Sequence, residues 1–443
     1  MRHRQPHPPT QRAPVRFVKL LLLLVANAAV LGGLYRWLRA QRRVAGLGYL
    51  VVPTLALRLL AGAVSTIRPT DDAWYYHLWS GQMAAQLWAA PGQWLQMLTT
   101  DEFHFGERHL VFHGYSNTFF FMKLLSAFGW LTGDSLLLQA LYLSLAAFGA
   151  CWTLVRVLSQ LFPGTRGAAV VSLLLWPSAL YWSSGVTKES LLLAGSALLL
   201  ASVLMLLYGP AGTRRWLWAA GALLGTWLSF KMRFFFGGAL LAVLLALATV
   251  HVVSQLGGPL RRRRWQALLL IGLLGAGAWG AGEVSPVFRF NKFASQLTRT
   301  YSALRQKSLG RPHVALPELA PTAESILRHT PKAIASTLFR PFAWEGDTVF
   351  YGFAALENLG LLLLAALAAW DWAHRRRAPL PFLVALGLLL YCLLMAALVG
   401  LSTPNLGTLS RYRAPWLPLL VYLLLAQPTA AGLLRRLRIL TPA

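Results

Sequence analysis

Two adjacent carboxylates, Asp71 and Asp72, stand in the stretch Arg68-Pro-Thr-Asp-Asp-Ala-Trp-Tyr-Tyr-His77, directly after a long apolar segment. The chain has only 14 acidic residues, so a pair at that position is conspicuous. Carboxylates there can bind a metal, act as a general base, or hold a substrate hydroxyl, with His77 nearby. The competing reading is a helix start, with Thr70 or Asp71 as the N-cap of a surface helix that begins at Ala73. Charged residues recur at four later junctions: Lys188 with Glu189, Lys231 with Arg233, Arg340 with Glu345, and Arg411 with Arg413. Arginine binds phosphate through two parallel hydrogen bonds and lysine binds it as a point charge. The competing reading for each pair is snorkelling or an internal ion pair.

The elements that must position these residues are membrane helices. The chain has 443 residues, 56% of them hydrophobic, with 18 Trp and 22 Phe. Apolar runs fall at about 17–35, 45–64, 134–158, 168–183, 189–208, 216–230, 234–255, 265–284, 349–371, 380–401 and 414–430. Runs of roughly 20 apolar residues span a bilayer as helices, so the sequence predicts an all-α polytopic membrane protein with about 10–11 transmembrane helices. The net charge of +27 is dispersed in short clusters between these runs. That is the pattern of membrane topology and of contact with anionic lipid headgroups, and not of nucleic-acid binding. Cys151 and Cys392 lie inside apolar runs and read as small hydrophobes. No Walker A or dinucleotide-binding fingerprint is present, which excludes nucleotide chemistry of those types. His109 and His113 have helical i, i+4 spacing, but Gly106 and Gly114 oppose a helix, and no HExxH pattern supports zinc.

The basic clusters orient the helices. Arg261 to Arg264, Arg375 to Arg377, and Arg435, Arg436 and Arg438 fall on one side when the segments are counted, and the positive-inside rule assigns that side to the cytoplasm. The regions 65–133 and 285–348, the turns at Ser183–Lys188 and Lys231–Arg233, and the loop 402–413 then share the outer face. This count requires the stretch 115–130, which carries Lys123 in its middle, to lie along the interface as a helix without crossing. Residues 1–16 are basic and Pro-rich and read as a disordered segment, and 17–443 read as a single membrane domain. The first apolar segment either lies in the interface or has a translocated N-terminus. All the charged candidates named above collect on the outer face, where cations are disfavoured unless something holds them. A phosphate at the membrane surface is such a reason.

Three runs resemble the GT-C membrane glycosyltransferases of the protein O-mannosyltransferase and aminoarabinose-transferase type. The Asp71–Asp72 pair follows an early membrane helix in the first outer loop. Phe128-Gly-Trp-Leu-Thr-Gly-Asp-Ser135 is similar to the family's junction before a long helix. Trp176-Pro-Ser-Ala-Leu-Tyr-Trp-Ser-Ser-Gly-Val-Thr-Lys188-Glu189 resembles its outward-facing segment. The resemblance covers roughly residues 60–210. The later runs Asn405-Leu-Gly-Thr-Leu-Ser-Arg-Tyr-Arg-Ala-Pro415 and Phe339-Arg-Pro-Phe-Ala-Trp-Glu345 resemble stretches of bacterial membrane proteins of polysaccharide clusters. The resemblance implies a bacterial inner-membrane enzyme that moves a sugar from a polyprenyl-phosphate donor on the periplasmic face. By this carry-over, Asp71 or Asp72 deprotonates or positions the acceptor hydroxyl, and Lys188, Lys231, Arg233 and Arg411 neutralise the departing lipid phosphate. Mg or Mn is the divalent cofactor this chemistry can use. The chain departs from the family in having two apolar segments before the first outer loop and no large soluble C-terminal domain, which favours a glycan or lipid acceptor over a protein. Two other readings share the same outer-face charges: an O-antigen polymerase or ligase that relies on Arg340 or Arg411, and a flippase or transporter of lipid-linked sugars.

Overall fold

The structure is a computed structural model that describes residues 13–346 and 348–436. Most of the basic N-terminal segment and Arg438 lie outside the described residues. The protein is an all-α, multi-pass membrane protein, because its apolar runs satisfy their backbone groups within helices as a water-free environment requires.

Helix α1 (Ala13–Gln41) runs the length of the bundle. Lys19 lies 4.9 Å from the centre of the Trp88 ring near its start, while Gln41 accepts hydrogen bonds from Trp152 and Arg156 at its end. Helix α1 therefore passes along the bundle, with its start near the C-terminal end of α3 (Asp71–Ala89). The next helix, α2 (Val51–Val64), is short. A cap of small elements then covers that end: α3 (Asp71–Ala89), α4 (Pro91–Thr99), the hairpin β1 (Glu102–Phe105) and β2 (Arg108–Val111), α5 (Asn117–Ala127) and α6 (Gly129–Thr132). The hairpin pairs His104 with His109 across its strands, in place of the helical spacing considered for His109 and His113. Thr70 caps α3 by accepting from the Ala73 N–H at 3.2 Å, which frees both aspartate side chains from capping duty. At 11 residues, α5 is about 16 Å long and too short to cross. Its Lys123 donates to the carbonyls of Leu98 and Thr100, consistent with a helix lying along the interface.

Helix α7 (Leu136–Leu161) returns through the bundle. The apolar run after it does not form one continuous α-helix. It gives α8 (Arg166–Val170), a π-helical turn at Val171–Leu175, and α9 (Pro177–Trp182), because Pro177 has no N–H to donate into the preceding turn and its ring clashes with that turn. Helix α10 (Lys188–Tyr208) is apolar around its whole circumference and is sheathed by α7 and α11 (Arg215–Gln255), which makes it the core of the fold. Inside α11, Arg233 has extended backbone angles, φ −153° and ψ 95°. The chain doubles back there: a Cβ on Gly237 would lie 2.9 Å from the Phe230 nitrogen, whereas residues seven apart on a straight helix are about 10 Å apart. The polar turn expected at Lys231–Arg233 is therefore the apex of a helical hairpin.

The rest comprises α12 (Arg263–Val284), α13 (Phe290–Gln306), α14 (Ala323–Phe339), α15 (Val349–Ala373), α16 (Phe382–Ser402), α17 (Leu406–Arg413), α18 (Leu417–Leu425) and α19 (Pro428–Arg436). The polar region 285–348 is thus largely helical. Helix α14 lies against α16 so closely that a Cβ on Gly400 would stand 2.3 Å from the Ala333 carbonyl oxygen. Among the described residues, seven helices are long and apolar enough to cross a membrane, or eight if the 84° bent pair α18–α19 counts as one. The sequence count of about 10–11 is a count of apolar runs: those at 45–64, 168–183 and 414–430 form short or broken helices, and the two runs of the hairpin are joined in α11. The basic clusters lie opposite the α3 end: Arg376 meets Asp371 and Thr429, and Arg263 covers Phe382.

Candidate functional site

Glu189 has no solvent exposure, so its charge needs partners from the protein. Thr187 caps α10 by accepting from the Ser190 N–H, which sets Lys188 and Glu189 in the first turn, where the helix dipole favours a carboxylate. One carboxylate oxygen of Glu189 lies 3.1 Å from Arg233 Nη2, brought in by the hairpin apex. The other lies 3.0 Å from Arg411 Nε on α17. Arg411 then donates through Nη1 to Asp72 Oδ2 at 2.6 Å. Asp72 is the solvent end of this chain, with its side chain 54% exposed against 15% for Arg411. Burial acts to lower the Arg411 pKa, but Glu189 and Asp72 outweigh it and hold the guanidinium above its ordinary value. Arg233 also covers the Tyr412 ring at 3.9 Å.

Lys188 completes the cluster. It is buried, and its ammonium donates to Asn117 Oδ1 at 2.9 Å and to Thr118 Oγ1 at 2.7 Å, over the face of Tyr76. Burial first, and the Asp72 charge after it, push the Tyr76 phenol well above its usual range, so it stays protonated. Lys188, Arg233 and Arg411 face Asp72 and Glu189, which leaves a net charge of +1. Lys231 sits beside the cluster over the rings of Tyr115 and Phe120. The apex carbonyls of Lys231 and Met232 accept from Tyr115 Oη and from Asn117 Nδ2. These bonds tie the 115–117 loop to the bend.

Two expected residues of the same stretch lie apart. His77 Nδ1 pairs with Gln139 Oε1 at 3.0 Å, beneath the cap. Asp71 is exposed and has no hydrogen bond or ion pair among the described residues.

Arg340, Glu345 and Arg413 form a second, separate group. Arg340 Nε donates to Glu345 at 2.6 Å, and the same carboxylate accepts from the Phe342 N–H, closing a tight turn. Arg413 is fully buried. Its Nη1 donates to the carbonyls of Thr337, Leu338 and Arg340 at the C-terminus of α14, where unpaired carbonyls and the helix dipole call for a cation. Its Nη2 lies 3.6 Å from Glu357, which also accepts from Trp176 Nε1 and from both donors of Ser178. Glu357 escaped the sequence reading. Its signal was there: a carboxylate in the middle of the apolar run 349–371 demands a buried partner. Asn117, Thr118 and Tyr76 escaped as well, since uncharged partners carry no signal at the level of charge patterning.

Two cavities adjoin this second group, one lined in part by Glu357 and Arg413 and the other by Glu345. An apolar cleft of about 560 Å³ is walled by Trp176, Tyr181, Trp182, Phe350 and Phe353, with Ser410 and Arg413 among its polar atoms. Ser410 Oγ and Arg413 Nε are buried there without a hydrogen-bond partner among the described residues. A more polar cavity of about 650 Å³ lies over the start of α17, beside Trp344 and Asn405. Among the described residues, no three His, Cys, Asp or Glu side chains converge as metal ligands. Asp72 and Glu189 meet at a shared guanidinium, that of Arg411.

Comparison with protein-family models, with curated proteins and with solved structures found no match to this chain.

Proposed function

We propose that this protein is a membrane glycosyltransferase that moves a sugar from a polyprenyl-phosphate donor to a glycan or lipid acceptor on the non-cytoplasmic face, the periplasm of a bacterial inner membrane. The observation that carries the reading is Asp72: a solvent-reachable carboxylate held at the end of a buried chain of alternating charges with a net positive balance. In the reaction, Asp72 accepts the proton of the acceptor hydroxyl as its oxygen bonds to the sugar's anomeric carbon. The bond from that carbon to the phosphate oxygen breaks, and the polyprenyl phosphate leaves with the electron pair. Arg411 and Lys188 stabilise the negative charge that develops on the phosphate, while Glu189 and Arg233 hold Arg411 in place. The apolar cleft beside α9 and α15 supplies a surface for the polyprenyl chain. The sidedness follows from the basic clusters at the opposite end of the bundle.

The test is transfer from radiolabelled polyprenyl-phosphate sugars by the purified protein, with a crude membrane fraction as acceptor, against Asp72→Asn and Asp71→Asn. Loss of transfer in Asp72→Asn alone, with folding intact, supports the reading. Transfer that survives Asp72→Asn but fails in Arg411→Ala moves the chemistry to the late arginine, as in a polymerase or ligase. Donor binding without turnover under every acceptor condition points to a flippase. Transfer abolished by EDTA and restored by Mg or Mn adds a divalent cation to the mechanism.

A further inference from the structure

The cavity over the start of α17 is built differently from the apolar cleft. Its lining includes Arg311, Trp344, Glu345, Thr348, Tyr351 and Asn405, which together offer hydrogen-bond donors, acceptors and aromatic faces. Trp344 is 81% exposed and stacks on Phe342 at 5.0 Å between ring centres and 13° between planes. One indole face is therefore supported from behind while the residue remains open. The walls are fixed. Glu345 is held by Arg340 and the Phe342 N–H. Gly346 lies so near Tyr351 that a Cβ would stand 2.6 Å from the ring. The Val314 N–H donates to the Pro404 carbonyl at 2.9 Å, and Asn405 caps α17 by accepting from the Thr408 N–H. The volume, about 650 Å³, falls in the roughly 300–1,000 Å³ range of preformed small-molecule sites.

A pyranose ring matches this set of groups. Its C–H face packs on an aromatic plane, and its hydroxyls both donate and accept around the rim. A bare anion would not be served by Glu345, and a hydrocarbon would leave the rim's polar groups unpaired. We propose that this cavity binds a saccharide, and that it holds the acceptor glycan of the transfer described above. The word acceptor rests on that reading; saccharide binding does not. Asn405 is six residues from Arg411, about 9 Å along the axis of α17, so a bound glycan lies near the reacting end without covering it.

The experiment uses the full chain in a detergent without a sugar headgroup. Calorimetric titration is run with tri- to hexasaccharides of glucose, mannose, rhamnose and N-acetylglucosamine. At least one is expected to bind, with affinity weakened about tenfold or more, roughly 1.4 kcal/mol, by Trp344→Ala and by Arg311→Ala. Both residues are exposed, so the melting temperature of each variant is expected to match the parent. Asp72→Asn is expected to bind saccharide like the parent. Binding by no member of the panel, or binding unchanged in both variants, overturns the proposal and leaves Trp344 as an interfacial anchor. Saccharide binding that depends on Trp344, with transfer unaffected by Asp72→Asn, overturns the catalytic role of Asp72 and leaves the saccharide site standing.

Discussion

Arg411 and Arg413 are two residues apart on α17, roughly 200° around the helix, and they end in opposite situations. Arg411 joins a buried glutamate to an exposed aspartate. Arg413 has no exposure and divides its guanidinium between the last carbonyls of α14 and Glu357. Both are arginine–carboxylate pairs with distant partners. What separates them is whether the last group in the chain of charges can reach a ligand. A sealed pair organises the fold, and a pair open at one end can exchange its partner for substrate. A buried pair is also weak evidence for stability, since desolvation offsets much of its attraction, whereas removing one partner strands the other charge.

The sharpest way to break this comparison is Arg413→Met. It strands Glu357 and uncaps α14, and the expected loss is about 3–5 kcal/mol, read as a lowered melting temperature or loss of folded protein. The double variant Arg413→Met with Glu357→Leu is expected to recover much of that loss, since no buried charge is left unpaired. A stable Arg413→Met that has lost transfer would instead place Arg413 with Arg411. Asp72→Asn should do the reverse: transfer falls by about 10²–10⁴, while stability shifts by no more than the ~0–1 kcal/mol of an exposed ion pair. Arg411→Lys keeps one charge but cannot span Glu189 and Asp72 together, and the expected result is a donor KM raised about tenfold with a smaller change in kcat. The smallest effect concerns Asp134, a carboxylate at the turn into α7 whose charged neighbours are His77 and Lys19. Burial raises its pKa, with His77 and Lys19 offsetting only part of the shift. A carboxylate raised in the folded state costs stability above its folded pKa, and that cost fades as pH falls toward its unfolded value. Asp134→Asn, tolerated at the left-handed φ of 59°, should therefore raise the melting temperature slightly at pH 7 and flatten its rise below neutral pH.

The sequence carried the helices well, because a span must be apolar for its full length whatever its neighbours are. Sorting the polar turns by topology placed Asp72, Lys188, Glu189, Arg233 and Arg411 at one end, and the structure brings these five together. It could not assign partners. Nothing local distinguishes Arg411 from Arg413, because Glu189 and Glu357 lie far away in the chain. It also could not separate the two aspartates, since the cap at Thr70 and the reach of Arg411 are properties of α3 and α17 packed together. Where the helices break or merge was hidden for a related reason: Pro177 and the bend at Arg233 interrupt or join segments without changing their composition.

Asn117 holds Lys188 with its oxygen and the Met232 carbonyl with its nitrogen. A single amide thus works as a two-sided clasp, closing the entrance loop onto α10 with one hand and onto the membrane hairpin with the other. Asn117→Asp would keep the first grip, strengthened by charge, and turn the second into repulsion between two oxygens. The cation and the hairpin apex, which look like separate parts, are therefore coupled through one atom's identity, and exchanging that nitrogen for oxygen uncouples them.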